Sequence, residues 1–203
     1  MWGSATWPTT LSCGSLTLRP LRNRDKKAWQ EVRLRNQQWL APWEASNPDP
    51  SGRLPSFSEM VRSLANQARV GSALPFAITE NNDDGVPRFA GQLTVSSIIW
   101  GSAMMATAGY WVDQARAGRG LVPAALALAT DHCFQNLGLH RMEINIRPEN
   151  APSLRVVEKL GFRDEGLRPR YLHINGAWAD HRTFALTAEE VPAGLLARLR
   201  LQR

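Results

Sequence analysis

Two glycines, Gly118 and Gly120, lie in a loop between an apolar run and a long segment with helical periodicity. The run AGYWV, residues 108–112, is typical of a strand, and no glycine interrupts the segment that starts at Leu121. Glycines let a backbone approach a ligand closely, and the first amides of a helix present unsatisfied N–H groups at the positive end of its dipole. This order of elements favours an anion site, with phosphate as the expected ligand, although an ordinary turn has the same pattern.

A second polar pattern occurs further along, in the stretch ENAPSLRVVEKLGF, residues 149–162. Pro152 suits the first turn of a helix and Gly161 suits its end, so a helix of about two and a half turns is predicted here. The spacing of Asn150 and Ser153 leaves two interpretations open. The pair is a simple helix cap, or it is a pair of polar groups that contact a ligand.

The elements that must position these two segments follow from hydrophobic periodicity. Alternation and turn residues predict strands at 15–21, 74–80, 89–95, 107–112, 142–146, 171–174 and 183–186. Helices with capping residues are predicted over 25–40, 56–71 and 121–136 and in the terminal LLARLRLQR, with Asp25 as the N-cap of the first. Gly91 inside a strand indicates a bulge or a close backbone approach, and Asn175 with Gly176 predicts a type I′ hairpin turn.

Composition and charge limit the possible function classes. The 203 residues, 43% of them hydrophobic, suit one folded domain. No segment approaches the roughly 18 apolar residues of a membrane span, and residues 1–16 lack an export pattern, so a cytoplasmic protein with no membrane partner is expected. The net charge of +6 allows an anionic partner, but the arginines are spread along the chain and the three lysines form no basic stripe. Nucleic-acid binding is therefore not expected.

The cysteines and histidines indicate neither a disulfide nor a metal site. Cys133 shares an apolar helical stripe with Val122, Leu126 and Ala129, so a buried thiol is expected there. Cys13, the other cysteine, lies close to the start of the chain. The four histidines are scattered without metal-ligand spacing, and no metal is predicted.

A resemblance to a known family rests on two stretches, GYWVDQARAGRGLVPAAL and RPENAPSLRVVEKLGFRDEG. They resemble the motifs of the GNAT family of acetyl-CoA-dependent N-acetyltransferases, with Asn150, Ser153 and residues 159–162 matching its NxxS and KLGF pattern. WLAPWE, GYWVD and RYLHINGAWADH are similar to the RimJ and RimL type, which acetylates the N-terminal amine of ribosomal proteins. The resemblance covers residues 15–187, so 1–14 is expected to be an N-terminal extension and 188–203 a basic C-terminal helix or tail.

The resemblance implies an α/β (α+β) fold in which helices flank a mixed, mostly antiparallel sheet with a splayed central pair of strands. The pantetheine arm of acetyl-CoA would lie between those strands, at 110–112 and 143–146. The implied cofactor residues are Val112, Ala117, Gly118, Arg119, Gly120, Leu121, Val122, Asn150 and Ser153. Arg116 is a further candidate for neutralising phosphates. The chain departs from the family at Ala115, where Gln or Arg is frequent.

Acetyl transfer to an amine needs a neutral amine, a polarised thioester carbonyl and a proton for the leaving thiolate. Ser153 and then Tyr171 are the expected proton donors, and the backbone N–H of Val112 is expected to polarise the carbonyl. Relatives of the RimL type have a glutamate base just before the hairpin tyrosine, where this chain has Arg170. The remaining candidate bases are Glu44, Glu143, Asp180 and His181, or a water chain to backbone carbonyls.

The resemblance therefore predicts an enzyme that transfers an acetyl group from acetyl-CoA to a primary amine in a ternary complex. The expected acceptor is a protein N-terminus, with a ribosomal protein as the candidate, and the expected assembly is a monomer or homodimer. Two alternatives stay open. One is acetylation of a small amine such as a polyamine or an antibiotic, and the other is a non-catalytic module that binds acyl-CoA or associates with the ribosome.

Overall fold

The computed structural model describes residues 7–49, 52–82 and 84–201, which fold around one sheet of eight strands. The strands are β1 (Leu11–Cys13), β2 (Leu16–Pro20), β3 (Leu74–Asn81), β4 (Pro87–Ile99), β5 (Met105–Val112), β6 (Arg141–Ile146), β7 (Arg163–Ile174) and β8 (Ala177–Thr187). Their spatial order is β1-β2-β3-β4-β5-β6-β8-β7, and β5 with β6 is the parallel pair in this sheet. The mixed, mostly antiparallel sheet that the resemblance implied is confirmed.

Helices cover both faces of the sheet. They are α1 (Lys26–Arg35), α2 (Gln37–Leu40), α3 (Phe57–Arg69), α4 (Leu121–Asp131), α5 (Ala151–Leu160) and α6 (Leu195–Leu201). Side chains alternate across a strand, so Phe76 and Ile78 of β3 pack in the main core with α4, whereas Ala77 packs in a second cluster beneath α1 and α3. Within the described ranges, no helix is sufficiently long and apolar to cross a lipid bilayer.

The two central strands, β5 and β6, pair along only part of their length. Their register matches residues 105–107 with 141–143, and the pairing ends there although β5 continues to Val112. Beyond Thr107 the backbone of β5 therefore has no strand partner on its β6 side. This divergence is the splayed strand pair that the resemblance implied, and it opens a gap in the middle of the sheet.

The helix predicted over 25–40 is interrupted at Asn36. The side-chain amide of Asn36 donates to the carbonyl of Val32 (2.8 Å) and to the carboxylate of Asp113 (2.9 Å), and its backbone is not helical. Asp25 is the N-cap residue of α1, as predicted, but its side chain makes no capping hydrogen bond to that helix. Its carboxylate instead accepts the Arg22 N–H (2.8 Å), which closes a 3₁₀ turn ahead of α1.

The structure shows both features that were predicted for Gly91, a bulge and a close backbone approach. The register between β3 and β4 shifts beside it, where Ala90 forms a bulge. A Cβ at Gly91 would lie 2.2 Å from the carbonyl oxygen of Trp111 and 2.9 Å from the Cα of Val112. Only glycine therefore lets β4 approach β5 this closely.

Both ends of the described chain contribute to the fold. Residues Leu11–Cys13 add a strand beside β2, and α6 buries Leu195 and Leu199 in the main core. The carboxylate of Asp131, at the end of α4, accepts the first two amides of α6 at 2.5 and 3.0 Å. Residues 1–6 of the expected extension and 202–203 of the expected tail lie outside the described residues.

Candidate functional site

A cavity of about 700 Å³ lies beside the part of β5 that has separated from β6. Many of the predicted site residues line it, namely Val112, Ala117, Gly118, Gly120, Leu121, Val122, Asn150, Ser153 and Glu44. Arg119 is exposed and Tyr171 lies on β7, and neither lines this cavity. The structure thus brings the glycine loop, the Asn150 segment and a distant glutamate to one site.

The glycine loop has the backbone geometry of an anion cradle. Gly118 and Gly120 have φ of +75° and +80°, in the region that side chains rarely adopt, and a Cβ at Gly118 would meet no atom within 4 Å. Gly120 is the N-cap of α4 and supplies no side-chain acceptor to its first amides. Leu121 and Val122 line the cavity at the positive end of an 11-residue helix. The first N–H groups of a helix have no partner within it, so this arrangement fits the pyrophosphate of coenzyme A.

A buried polar network fixes the start of this loop to the α1–α2 junction. Asp113 forms an ion pair with Arg35 and accepts from the Asn36 amide (2.9 Å), while Asn36 accepts the N–H of Gln114 (2.9 Å). Arg116 forms an ion pair with Glu80, and both side chains are largely buried. Since its charge is already partnered, Arg116 anchors the loop in this structure.

Asp113 is held ionised by these contacts. Burial on its own would raise the pKa of Asp113, but hydrogen bonds from Arg35, Asn36 and the Ala115 amide outweigh burial and lower it. The ionised form thus contributes to stability above about pH 4, the usual unfolded value, and that contribution is lost as the pH falls through the lower folded value.

We expect Asp113→Asn to be less stable than the parent at neutral pH by about 1–3 kcal/mol, because the variant loses the charged bonds to Arg35. Its melting temperature should also fall less steeply with acidification below about pH 4. Circular dichroism melts across this range measure both effects. The exposed Glu158→Gln serves as the control. Parallel curves for Asp113→Asn and the parent would contradict the role given to Asp113.

The backbone of Val112 points into the gap between the central strands. Asp113 donates its N–H to the Ala90 carbonyl of β4 at 2.8 Å, so the adjacent Val112–Gly91 pair is of the non-hydrogen-bonded kind. The N–H and C=O of Val112 are therefore directed away from β4, toward the edge where β6 has diverged. This exposed edge can pair with an extended ligand, and the Val112 N–H can polarise a carbonyl.

Asn150 and Ser153 form the predicted helix cap, and their contact with a ligand stays a prediction. The Asn150 side chain accepts the N–H of Ser153 at 3.2 Å and caps α5, and both residues also line the cavity. Tyr110, which the sequence analysis did not select, lines the same wall and buries its hydroxyl. Burial raises the pKa of Tyr110 to about 12, against a smaller opposite effect of the nearby Ser153 hydroxyl.

The other end of the cavity is aromatic. Trp29, Trp39, Trp43 and Trp111 line it. Arg33 of α1 lies 4.9 Å from the Trp29 ring centre and 5.5 Å from that of Trp111, and it forms an ion pair with Glu44. No local pattern distinguishes Arg33 from the other arginines of a polar helix, so sequence reasoning missed it.

Backbone hydrogen bonds hold the Glu44 segment against the β7–β8 hairpin. The Asn175 N–H donates to the Glu44 carbonyl, and the Ser46 N–H donates to the His173 carbonyl, both at 2.9 Å. Ala45 forms a bridge with Ile174 between them. Residues 44–46 thereby act as a short extra strand that fixes one rim of the cavity.

The other predicted catalytic residues already have protein partners away from the cavity. Glu143 is buried in an ion pair with Arg141 (2.8 Å), and Asp180 accepts the Arg170 N–H (2.7 Å). Burial lowers the pKa of His181. Its ring packs edge-on against that of Tyr171, with 6.0 Å between the two ring centres. Within the described ranges, no cluster of three or more His, Cys, Asp or Glu side chains could hold a metal ion.

Comparisons with known proteins agree with this geometry. A solved structure, Mycobacterium smegmatis RimJ in complex with CoA-disulfide, is 41% identical, covers 97% of this chain and 95% of its own, and superposes with a TM-score of 0.87. The ribosomal protein uS5 alanine N-acetyltransferase of Escherichia coli is 29% identical, covering 91% of this chain and 93% of its own. The model of the Acetyltransferase (GNAT) domain matches residues 15–163. The chain therefore belongs to the GNAT acetyltransferase family.

Proposed function

We propose that this enzyme transfers the acetyl group of acetyl-CoA to the α-amine of a protein N-terminus, with a ribosomal protein as the acceptor. One observation carries the proposal: a single cavity, beside the part of β5 that has separated from β6, joins the helix-capping glycine loop to an aromatic end that holds Glu44. The similarity to RimJ and to the uS5 alanine N-acetyltransferase supports the choice of acceptor.

Acetyl-CoA supplies an activated thioester, and the chain's residues orient it. The amides of Gly118 to Val122 would bind the pyrophosphate, and the exposed edge of Val112 would pair with the pantetheine arm. Asn150 and Ser153 lie further along the same wall, where the sulfur would be placed. The predicted role of Arg119 stays a proposal for an exposed cation beside the phosphates.

On the acceptor side, an α-amine with a pKa of about 7.7–8.0 loses its proton readily near neutral pH, whereas a lysine amine near 10.4 needs a stronger base. This difference favours an N-terminus in a site whose proposed base is a carboxylate, because a carboxylate is a weak base. Glu44 is the one predicted carboxylate that lines the cavity, and we propose that it binds the arriving ammonium group and takes up its proton. Tyr171 lies outside the cavity, so Ser153 is the proposed donor to the leaving thiolate.

A bacterial ribosomal-protein acceptor would place the enzyme in the cytoplasm, and the cavity is formed within one copy of the chain. We therefore propose a cytoplasmic enzyme that works as a monomer, or as a homodimer with one complete site in each copy.

Intact-mass analysis of peptides incubated with acetyl-CoA tests the acceptor. The panel varies the first residue, and each peptide has a matched form with a blocked N-terminus and an internal lysine. We expect a gain of one acetyl group on the free peptides and none on the blocked ones. Acetylation confined to internal lysines or to small amines would overturn the proposed acceptor, and the small-amine alternative would replace it.

A further inference from the structure

Tyr110 has a hydroxyl that the fold itself does not use. The oxygen is buried and makes no hydrogen bond to any of the described residues. A buried polar group without a partner destabilises a protein, so such groups are rare in native structures. The unpaired hydroxyl of Tyr110 therefore indicates a hydrogen-bond partner that is not part of the chain.

The surroundings of this hydroxyl indicate where that partner lies. Tyr110 is on the part of β5 that has separated from β6, and it lines the cavity together with Val112, Asn150 and Ser153. Residues 110 and 112 lie on the same face of β5, since side chains alternate along a strand. Both line the cavity, so the Tyr110 side chain lies close to the Val112 backbone in one segment of its wall. The Ser153 hydroxyl is close enough to oppose the effect of burial on the Tyr110 pKa. Its position relative to the Tyr110 hydroxyl does not have the geometry of a hydrogen bond.

We propose that the Tyr110 hydroxyl donates a hydrogen bond to the thioester sulfur and stabilises the negative charge that the sulfur acquires as it leaves. The proposal rests on the acetyl-CoA chemistry given above and adds a catalytic residue to it. The amine lone pair forms the new N–C bond, the C–S bond breaks, and its electron pair goes to sulfur. The proton lost by the amine balances the charge on the thiolate, through Ser153 or water, and Tyr110 keeps its own proton.

Two further facts agree with a hydroxyl that donates a hydrogen bond without transferring its proton. The pKa of Tyr110 is raised to about 12 by burial, so its O–H stays intact at every pH at which an α-amine is an effective nucleophile. Thiols have a pKa of about 8.5, so a full proton transfer from this tyrosine to the thiolate would be uphill. Hydrogen bonding stabilises the same charge without that transfer.

Tyr110→Phe keeps the ring and removes only the hydroxyl. Thr130→Val is the matched control, because Thr130 on α4 has another fully buried hydroxyl without a partner, and it does not line the cavity. We expect both variants to melt at or slightly above the temperature of the parent, since each loses a buried unpaired group.

The kinetic expectations differ between the two variants. Tyr110→Phe should lower kcat by about 10- to 100-fold with the KM for acetyl-CoA nearly unchanged, as expected for a hydrogen bond to a charged atom that forms only in the transition state. Thr130→Val should keep the kcat of the parent. An unchanged kcat in Tyr110→Phe, or a loss of activity together with a loss of thermal stability, would overturn the proposal.

Release of free coenzyme A thiol is the measured reaction, with each acceptor and with water alone. The thiolate of coenzyme A is the leaving group with every acceptor. The role of Tyr110 is therefore tested even if peptides prove to be the wrong acceptors. Turnover only with small amines would overturn the proposed N-terminal acceptor and leave the Tyr110 comparison intact. No thiol release by the parent under any condition would overturn both.

Discussion

Glutamate at positions 118 and 120 is expected to eliminate the stabilisation of this protein by coenzyme A. Both residues have positive φ, which glycine adopts without strain, and the new carboxylates would repel a pyrophosphate at the start of α4. With ligand at 100 times its Kd, the parent should gain about 2.7 kcal/mol of stability. The double variant Gly118→Glu/Gly120→Glu should gain almost none, as expected for a Kd weakened at least about 100-fold.

Thermal melts with and without coenzyme A measure this difference. Gly101→Glu is the matched control, because Gly101 also has positive φ (76°) and open space around it but lies in the β4–β5 turn, away from the cavity. The control should share the loss of intrinsic stability and keep the full response to ligand. An equal response in the double variant and the parent would exclude the glycine loop as the phosphate site.

Gly91→Ala is expected to have the largest effect on stability, although it adds a single carbon. The added Cβ would lie 2.2 Å from the Trp111 carbonyl oxygen and 2.9 Å from the Val112 Cα, and both are backbone atoms of β5. Only a separation of β4 from β5 relieves that overlap. We expect a loss of about 3 kcal/mol or more and a fall in melting temperature of at least about 6–12 °C.

Gly109→Ala provides the control on the same pair of strands. A Cβ at Gly109 would meet no atom within 4 Å, and its backbone is in the ordinary extended region, so we expect a change within about 1 kcal/mol. Gly91→Ala should also weaken coenzyme A binding, because Val112 moves with β5. If the two variants melt at the same temperature, the close approach of β4 to β5 is not required.

Local patterns predicted most of the scaffold. Asn175 and Gly176 have φ of 47° and 85°, as the predicted I′ turn demands, and Ser56 with Glu59 forms the predicted capping box of α3. Gly161 ends α5 with φ of 72°. These features depend on contacts within a few residues, which is the range that sequence periodicity and capping rules describe.

The residues that sequence reasoning missed depend on distant contacts. Asn36 interrupts the first helix because it bonds to Asp113, 77 positions away, and Tyr110 faces the cavity because β6 leaves β5 beyond Thr107. Arg33 reaches the site by packing against Trp111 of another strand. No spacing rule carries such information.

The predicted role of Tyr171 illustrates the same limit. The pairing of β7 with β8 changes register between Arg168 and Leu172, and Arg170 has a φ of 49°. Tyr171 therefore packs against His181 beneath Arg168, outside the cavity. A hairpin sequence does not reveal an irregularity of this kind.

The network of Arg35, Asn36 and Asp113 connects two segments that would bind different substrates. It joins the α1–α2 helices, which carry the aromatic end of the cavity, to the first residues of the glycine loop. With the proposed sites, the distance between a bound acyl donor and a bound amine would therefore be set before either arrives. Less of the binding energy would be used to order the protein, and the encounter of the two reactants would lose much of its entropic cost.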